Sequence, residues 1–185
     1  AFFGTNPMAF SIPREGQPPV VADMATSQVA LVTIKKAAAE GKAIPLGWGY
    51  DAQGHLSTDP EAVLNGGALA PAGGYKGMLL GLLVDLLAGV LSGPNCSFQA
   101  PEFKNNSGGE PKVGQFFIAL SPGLLTPTGL GGYAKRLETM LSALSAEPGV
   151  RLPGLRRHEF RHQAEQQGVE VAQELIDKLE SFGKG

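Results

Sequence analysis

Lys76 is the one cation inside a glycine turn, with Gly73 and Gly74 before it and Gly77 after it. The chain then runs apolar over residues 78–91, MLLGLLVDLLAGVL, with Asp85 its only charge, and stops at Gly93-Pro94. Turn glycines let backbone N–H groups approach a ligand closely, and a helix N-terminus carries partial positive charge. A lysine there adds a full charge, so residues 73–77 can attract a phosphate or a carboxylate. The same residues also suit an ordinary turn leading into a buried helix. They match neither the Walker pattern, lacking a Ser or Thr after the lysine, nor GxGxxG.

Asp23 is the second candidate. It follows the short apolar run PVVA and precedes Met24, Ala25, Thr26 and Ser27. A carboxylate at such a strand-to-helix turn either accepts hydrogen bonds from ribose hydroxyls or caps the next helix, and the local sequence favours neither. The histidines carry less. His55, in the turn-rich stretch HLSTDP, reads as a surface loop residue. His158 and His162 share one helical face at i, i+4 spacing, which can hold a metal. The glutamate of HExxH and an evident third ligand are both lacking, so they read as solvated helix residues. No nucleophile–base pair, no carboxylate pair beside a cleft and no internal repeat emerges.

The elements that must position these residues follow from pattern. A short buried strand is expected over residues 8–12, a polar loop over 13–19 and a second strand over 19–22. A helix follows, capped by Thr26 or Ser27, with Ala30, Ile34, Ala37 and Ala38 on one face, and ends at Gly41. Residues 44–54 read as a loop and hairpin arm, and a short helix is expected over 61–64. Residues 65–72 form a connector to the glycine turn, and 78–91 form a buried core helix. The stretch 95–112 reads as an irregular exposed loop. VGQFFIAL, residues 113–120, is the strongest strand signal, with burial expected on both faces. After a Pro/Gly-rich stretch over 121–132 the last third is helical. Tyr133, Leu137, Met140, Leu141 and Leu144 make one stripe, and Val171, Leu175, Leu179 and Phe182 make another that ends at Gly183. RLPG interrupts the helices at 151–154.

Bulk properties set limits. The chain has 185 residues, 43% of them apolar and 17% charged, which suits a core-forming protein. A net charge of −2 gives no electrostatic case for nucleic acid or an anionic membrane. The single cysteine, Cys96, excludes an intramolecular disulfide and fits a reducing compartment, here expected to be the cytoplasm. N-x-S sequons stand at Asn95 and Asn105, and residues 78–91 are too few to span a bilayer. The opening Ala1-Phe2-Phe3-Gly4 reads as the middle of a fold, so the chain is expected to be a piece of a longer polypeptide.

Four segments in order, GTNPMAFSIPR (4–14), VADMATS (21–27), GGYKG (73–77) and GQFFIAL (114–120), with RLPG (151–154) after them, resemble the malate/L-lactate dehydrogenase family of the non-Rossmann type. The family includes ureidoglycolate, sulfolactate and diketogulonate oxidoreductases and Δ1-piperideine-2-carboxylate reductases. The connecting text, GWGYDAQGHLSTDPEAVLNGGALAP, is similar to it as well. The resemblance implies an α/β (α+β) fold, a mixed, largely antiparallel sheet flanked by helices, with an NAD(P)-binding domain over residues 1–125 and a C-terminal helical segment over 126–185. It implies a homodimer binding NAD or NADP, with no nucleic-acid or membrane partner. The reaction implied is hydride transfer to or from a small 2-oxo or 2-hydroxy acid, or a cyclic 2-imino acid. Carried over residue by residue, cofactor contacts fall to Asp23, Met24, Ala25, Thr26, Ser27, Tyr75 and Lys76, with Gly154, Leu155 and Arg156 after them. The family's general-acid histidine belongs to a helical region ahead of GTNP, and none of His55, His158 and His162 fits that motif. No catalytic residue and no metal site is therefore assigned. The alternative is a non-catalytic dinucleotide-binding or structural remnant of the family.

Overall fold

Alternation of side chains over residues 8–24 produces a hairpin, β1 (Met8–Arg14) paired with β2 (Gln17–Met24). Only Glu15 and Gly16 form the turn, and Gly16 supplies the left-handed backbone it needs, at φ 62°. The polar loop expected over 13–19 is therefore mostly strand, because turn chemistry is confined to those two residues. The computed structural model describes residues 2–101 and 109–182. The sequon at Asn105, the middle of the expected 95–112 loop and the helix end at Gly183 lie outside the described residues. Contacts divide the mixed α/β chain into two units. One comprises Ala1–Phe10 with Asp23–Ser121, and the other Ser11–Ala22 with Pro122–Gly185.

In the first unit, α1 (Leu31–Ala39) and α2 (Pro60–Leu64) pack beside a small antiparallel sheet of β3 (Gly49–Tyr50), β4 (Leu56–Ser57) and β5 (Ala68–Leu69). The strand order is β4-β3-β5, with Gly49 opposite both Ser57 and Leu69. Ile34, Ile44 and Val63 are buried together, and Val29, Trp48 and Leu69 close around them. Asp59 caps α2 by accepting the Glu61 N–H at 2.9 Å.

Three expectations fail in this unit. First, α1 is not capped by Thr26 or Ser27; its N-cap is Ala30, without a side-chain hydrogen bond. The Gln28 N–H donates to Ala70 O at 2.7 Å and the Ala72 N–H to Thr26 O at 2.9 Å. Residues 26–28 are thus held extended and cannot start the helix. Second, the apolar run forms α3 (Tyr75–Asp85), continued by a wider π-turn over Leu86–Leu91, but it is not buried all round. Its fully buried residues are Gly77, Gly81 and Gly89, whereas Leu79 and Leu83 are close to half exposed, at 49% and 46%. The glycine face allows close approach of backbone, so the helix packs with its smallest residues inward. Third, residues 113–120 run without a ladder partner among the described residues, and Phe117 and Ile118 lie open. Hydrophobicity foresaw two-sided burial, yet no strand among the described residues pairs with this stretch to provide it.

In the second unit, α4 (Pro122–Leu125) and α5 (Gly129–Ala146) occupy the stretch expected to be irregular up to Gly132. Leu137 and Leu141 of α5 are buried with Val20 and Leu152, and Ile12, Tyr133 and Leu155 pack against them. The stripe on α5 therefore buries on two of its turns, while Met140 and Leu144 stay exposed. Arg14 on β1 grips Glu138 on α5 in a two-pronged ion pair, Nε to Oε1 at 2.8 Å and Nη2 to Oε2 at 2.7 Å. α6 (Leu155–Gln167) and α7 (Gln173–Phe182) follow, and Leu175 and Leu179 of α7 remain exposed. No helix among the described residues is long and apolar enough to cross a membrane.

Candidate functional site

Residues 26–28 and 70–72 lie side by side as a short antiparallel bridge, with Ser27 opposite Pro71. The two backbone hydrogen bonds that hold α1 off therefore place residues 26–28, the end of the Asp23–Ser27 segment, directly beside the approach to the glycine turn. Thr26 is buried and points at α3, with its Oγ1 3.3 Å from where a Cβ on Gly81 would stand. Its own N–H and Oγ1 both donate to Thr5 O, at 2.9 and 3.1 Å. Asp23 and Met24 are exposed, Ala25 and Ser27 half-buried, and the Ser27 hydroxyl donates to Val29 O at 2.8 Å. Seven of the residues singled out from sequence thus belong to one unit, with Thr26 against the middle of α3 and Ser27 opposite Pro71 at the approach to its start.

The turn itself is built by Gly73 and Gly74, at φ 66° and 68°, a backbone that a residue with a side chain adopts only under strain. A Cβ on either would meet nothing within 4 Å, so the turn faces open space. The Gly74 N–H closes it on Pro71 O at 3.1 Å, and the Gly73 N–H leans on the Gln28 side chain at 3.4 Å. Gly74 is the N-cap of α3, so Tyr75 and Lys76 occupy the helix's first turn, both exposed. No acidic residue sits in that turn to cancel the lysine or the helix dipole. An open, glycine-walled helix start with one cation fits the phosphate end of a dinucleotide.

Gly154, Leu155 and Arg156 lie in the other unit. Gly154 is the N-cap of α6 at φ 90°, and a Cβ there would crowd the Val21 backbone at 3.1 Å. The Val21 N–H donates to Pro153 O at 3.1 Å, so the RLPG turn is fastened to β2. Leu155 packs on the buried cluster of that unit, while Arg156 is exposed and lies over the Phe160 ring at 4.9 Å.

The histidines keep to the surface. Asp51 Oδ1 accepts the backbone N–H groups of Gln53 and His55, both at 2.9 Å. Those bonds, that from His55 foremost, hold the Asp51 carboxyl below the ordinary aspartate range. His55 is thus a turn residue, its Nδ1 3.6 Å from Asp51 Oδ2. His162 pairs with Gln166, ring Nε2 to amide Nε2 at 3.0 Å, and His158 is exposed. Among the described residues no three His, Cys, Asp or Glu converge as a metal site.

Sequence reasoning missed Asn6, Ser97 and Asp85. Asn6 is buried at φ 35°, and its Nδ2 donates to Gly81 O at 2.9 Å. Asp85 Oδ1 accepts the Ser97 backbone N–H at 2.9 Å and lies 2.7 Å from Ser97 Oγ. A lone carboxylate in an apolar run was the available signal, since such a group needs a donor nearby.

A sequence profile described as malate/L-lactate dehydrogenase matches residues 1–180. The chain is 37% identical over 180 residues to the (2R)-3-sulfolactate dehydrogenase (NADP(+)) of Chromohalobacter salexigens, covering 97% of this chain and 52% of that protein. It is 40% identical over 181 residues to the Δ1-pyrroline-2-carboxylate/Δ1-piperideine-2-carboxylate reductase of Pseudomonas syringae pv. tomato, again 97% and 52% of the two lengths. The crystal structure of the Δ1-piperideine-2-carboxylate reductase from that pathovar superposes with a TM-score of 0.86 at 38% identity, over 97% of this chain and 53% of that one. The chain spans about half the length of the curated relatives it matches.

Proposed function

Because the chain belongs to the malate/L-lactate dehydrogenase family, we propose that it forms the cofactor-binding part of an NADP(H)-dependent oxidoreductase acting on a small 2-oxo, 2-hydroxy or cyclic 2-imino acid. The observation that carries this reading is the bridge between residues 26–28 and 70–72, which joins the end of the Asp23–Ser27 segment to the chain leading into the lysine-bearing start of α3. The choice of NADP(H) rests on the NADP(+) dependence named for the sulfolactate dehydrogenase relative. The cyclic imino acid rests on the names of the reductases that share 37–40% of this sequence.

In this reading Lys76 and the first-turn N–H groups of α3 hold phosphate, and the Asp23 carboxylate and the Ser27 hydroxyl oxygen, whose proton goes to Val29 O, offer acceptors to a sugar. Bound there, NADPH supplies the hydride. Met24 and Ala25 give the apolar part of the wall. The intact protein works in the cytoplasm as a homodimer, the exposed leucines of α3 being the kind of face a second subunit covers.

The test is a fluorescence titration of the intact protein with NADPH and NADH, followed by NADPH oxidation with Δ1-piperideine-2-carboxylate and with pyruvate. Saturable NADPH binding with turnover of at least one of these is expected. Absence of binding to either nucleotide would sink the reading, and binding without turnover would favour a non-catalytic member of the family.

A further inference from the structure

Asn6 occupies a place that no ordinary turn residue needs. It is 7% exposed, at a left-handed φ of 35° directly before Pro7, and every polar atom of its side chain is engaged with a different element. Its Nδ2 donates to Gly81 O, in the middle of α3, at 2.9 Å. Its Oδ1 lies 2.8 Å from Ser97 Oγ, which also lies 2.7 Å from Asp85 Oδ1, so one hydroxyl proton is shared between two acceptors. The neighbouring carbonyl, Thr5 O, receives both the N–H and the hydroxyl of Thr26. Two adjacent residues thus hold the Thr26 segment with a backbone carbonyl and α3 with a side chain.

We propose that Asn6 is the positioning residue of the candidate cofactor site, fixing the Asp23–Ser27 segment against α3 so that its contacts and Lys76 face the same ligand. The inference rests on the reading above for what the ligand is, but the mechanical coupling stands on the hydrogen bonds alone. The bridge from 26–28 to 70–72 sets the register of the two segments along the chain. The Ala72 backbone rests on α3 at Gly77, one turn before Gly81, so the pair touches the helix there through packing without a hydrogen bond to it. Asn6 adds a hydrogen-bonded restraint at Gly81, on the face of α3 that Thr26 also meets.

Three variants of the intact protein separate the possibilities. Asn6→Gly keeps the left-handed backbone without strain and deletes only the clamp. Asn6→Asp keeps the shape but turns the donor toward Gly81 O into an acceptor. Ser97→Ala removes one arm and serves as the milder variant should either Asn6 substitution prevent folding. Hydrogen exchange without nucleotide is read at the Thr26 amide and over residues 75–79, and NADPH is then titrated by fluorescence. Faster exchange at both places is expected for Asn6→Gly, with the NADPH Kd raised about tenfold at unchanged stoichiometry. A residue that merely stabilises the fold would instead lower the denaturation midpoint while leaving the NADPH Kd unchanged under conditions where the variant is fully folded, and that result overturns the proposal. Exchange unchanged at Thr26 in every folded variant overturns it too. If the wild-type protein binds no NADPH while exchange responds as expected, the functional reading fails and the coupling survives.

Discussion

Lys76 projects from the first turn of α3 into open space, and the turn that carries it is made by glycines. Lys76→Ala should therefore leave stability within about 0.5 kcal/mol of wild type. Loss of a charge-assisted hydrogen bond to phosphate should cost roughly 1.5–3 kcal/mol of binding, about 10- to 150-fold in NADPH affinity. Equal dissociation constants for the two proteins would return residues 73–77 to an ordinary turn. Glu138 belongs to the same scale with a different chemistry. Its hydrogen bonds from Arg14, and then the charge of that guanidinium, hold its carboxyl below the ordinary glutamate range, while Arg14 is raised. A carboxyl with a lowered folded-state pKa contributes stability that is fully present above its unfolded value, near ~4.3. That contribution is lost as pH falls through the folded value. Thermal melts of wild type and Glu138→Gln should consequently differ at neutral pH and converge in acid. A difference in melting temperature that persists undiminished in strong acid would show that the ion pair is not its source.

At the scale of elements, α3 inverts a familiar expectation. Gly→Ala in an exposed helix interior ordinarily stabilises by about 1 kcal/mol. At Gly77 a Cβ would collide with the Ala72 backbone carbonyl, and at Gly81 it would stand 3.3 Å from Thr26 Oγ1. Gly77→Ala should thus destabilise by roughly 1–3 kcal/mol, as overpacking does, with Gly81→Ala milder; chemical denaturation measures both. A stabilised Gly77→Ala protein would mean that 70–72 does not rest on the helix. This also explains what the sequence revealed and what it hid. The glycine turn, most of the helices and the existence of two strands before Met24 were legible because periodicity and turn residues are local signals, whereas the pairing of those strands about Gly16 was not read. The orientation of α3 was not, since reading leucines as the buried face ignores that Gly77 and Gly81, four residues apart, admit backbone closer than any leucine does. The start of α1 was misplaced because hydrogen bonds to Ala70 and Ala72, far along the chain, hold 26–28 extended. Residues 113–120 show the same limit, since apolar character marks what a strand can pair with and not whether the pair exists. Asn6 was visible only as turn chemistry, because its partners lie 75 and 91 residues along the chain.

For the molecule as a whole, each unit has its own small core, around Ile34 in one and Leu141 in the other. Calorimetry should resolve two transitions, with Ile34→Ala and Leu141→Ala each lowering a different one by about 2–5 kcal/mol. If both substitutions shift a single transition, the two units fold as one cooperative body. Light scattering of the intact protein should give twice the chain mass, and a monomeric mass would remove the homodimer from the proposal. The fastening of Thr26 and Gln28 to 70–72 runs entirely through main-chain atoms. That has a consequence for how such a protein diversifies. Peptide groups are common to all residues, so the identities at positions 24 and 25 can drift under selection for a new nucleotide or substrate while the scaffold beneath them keeps its shape.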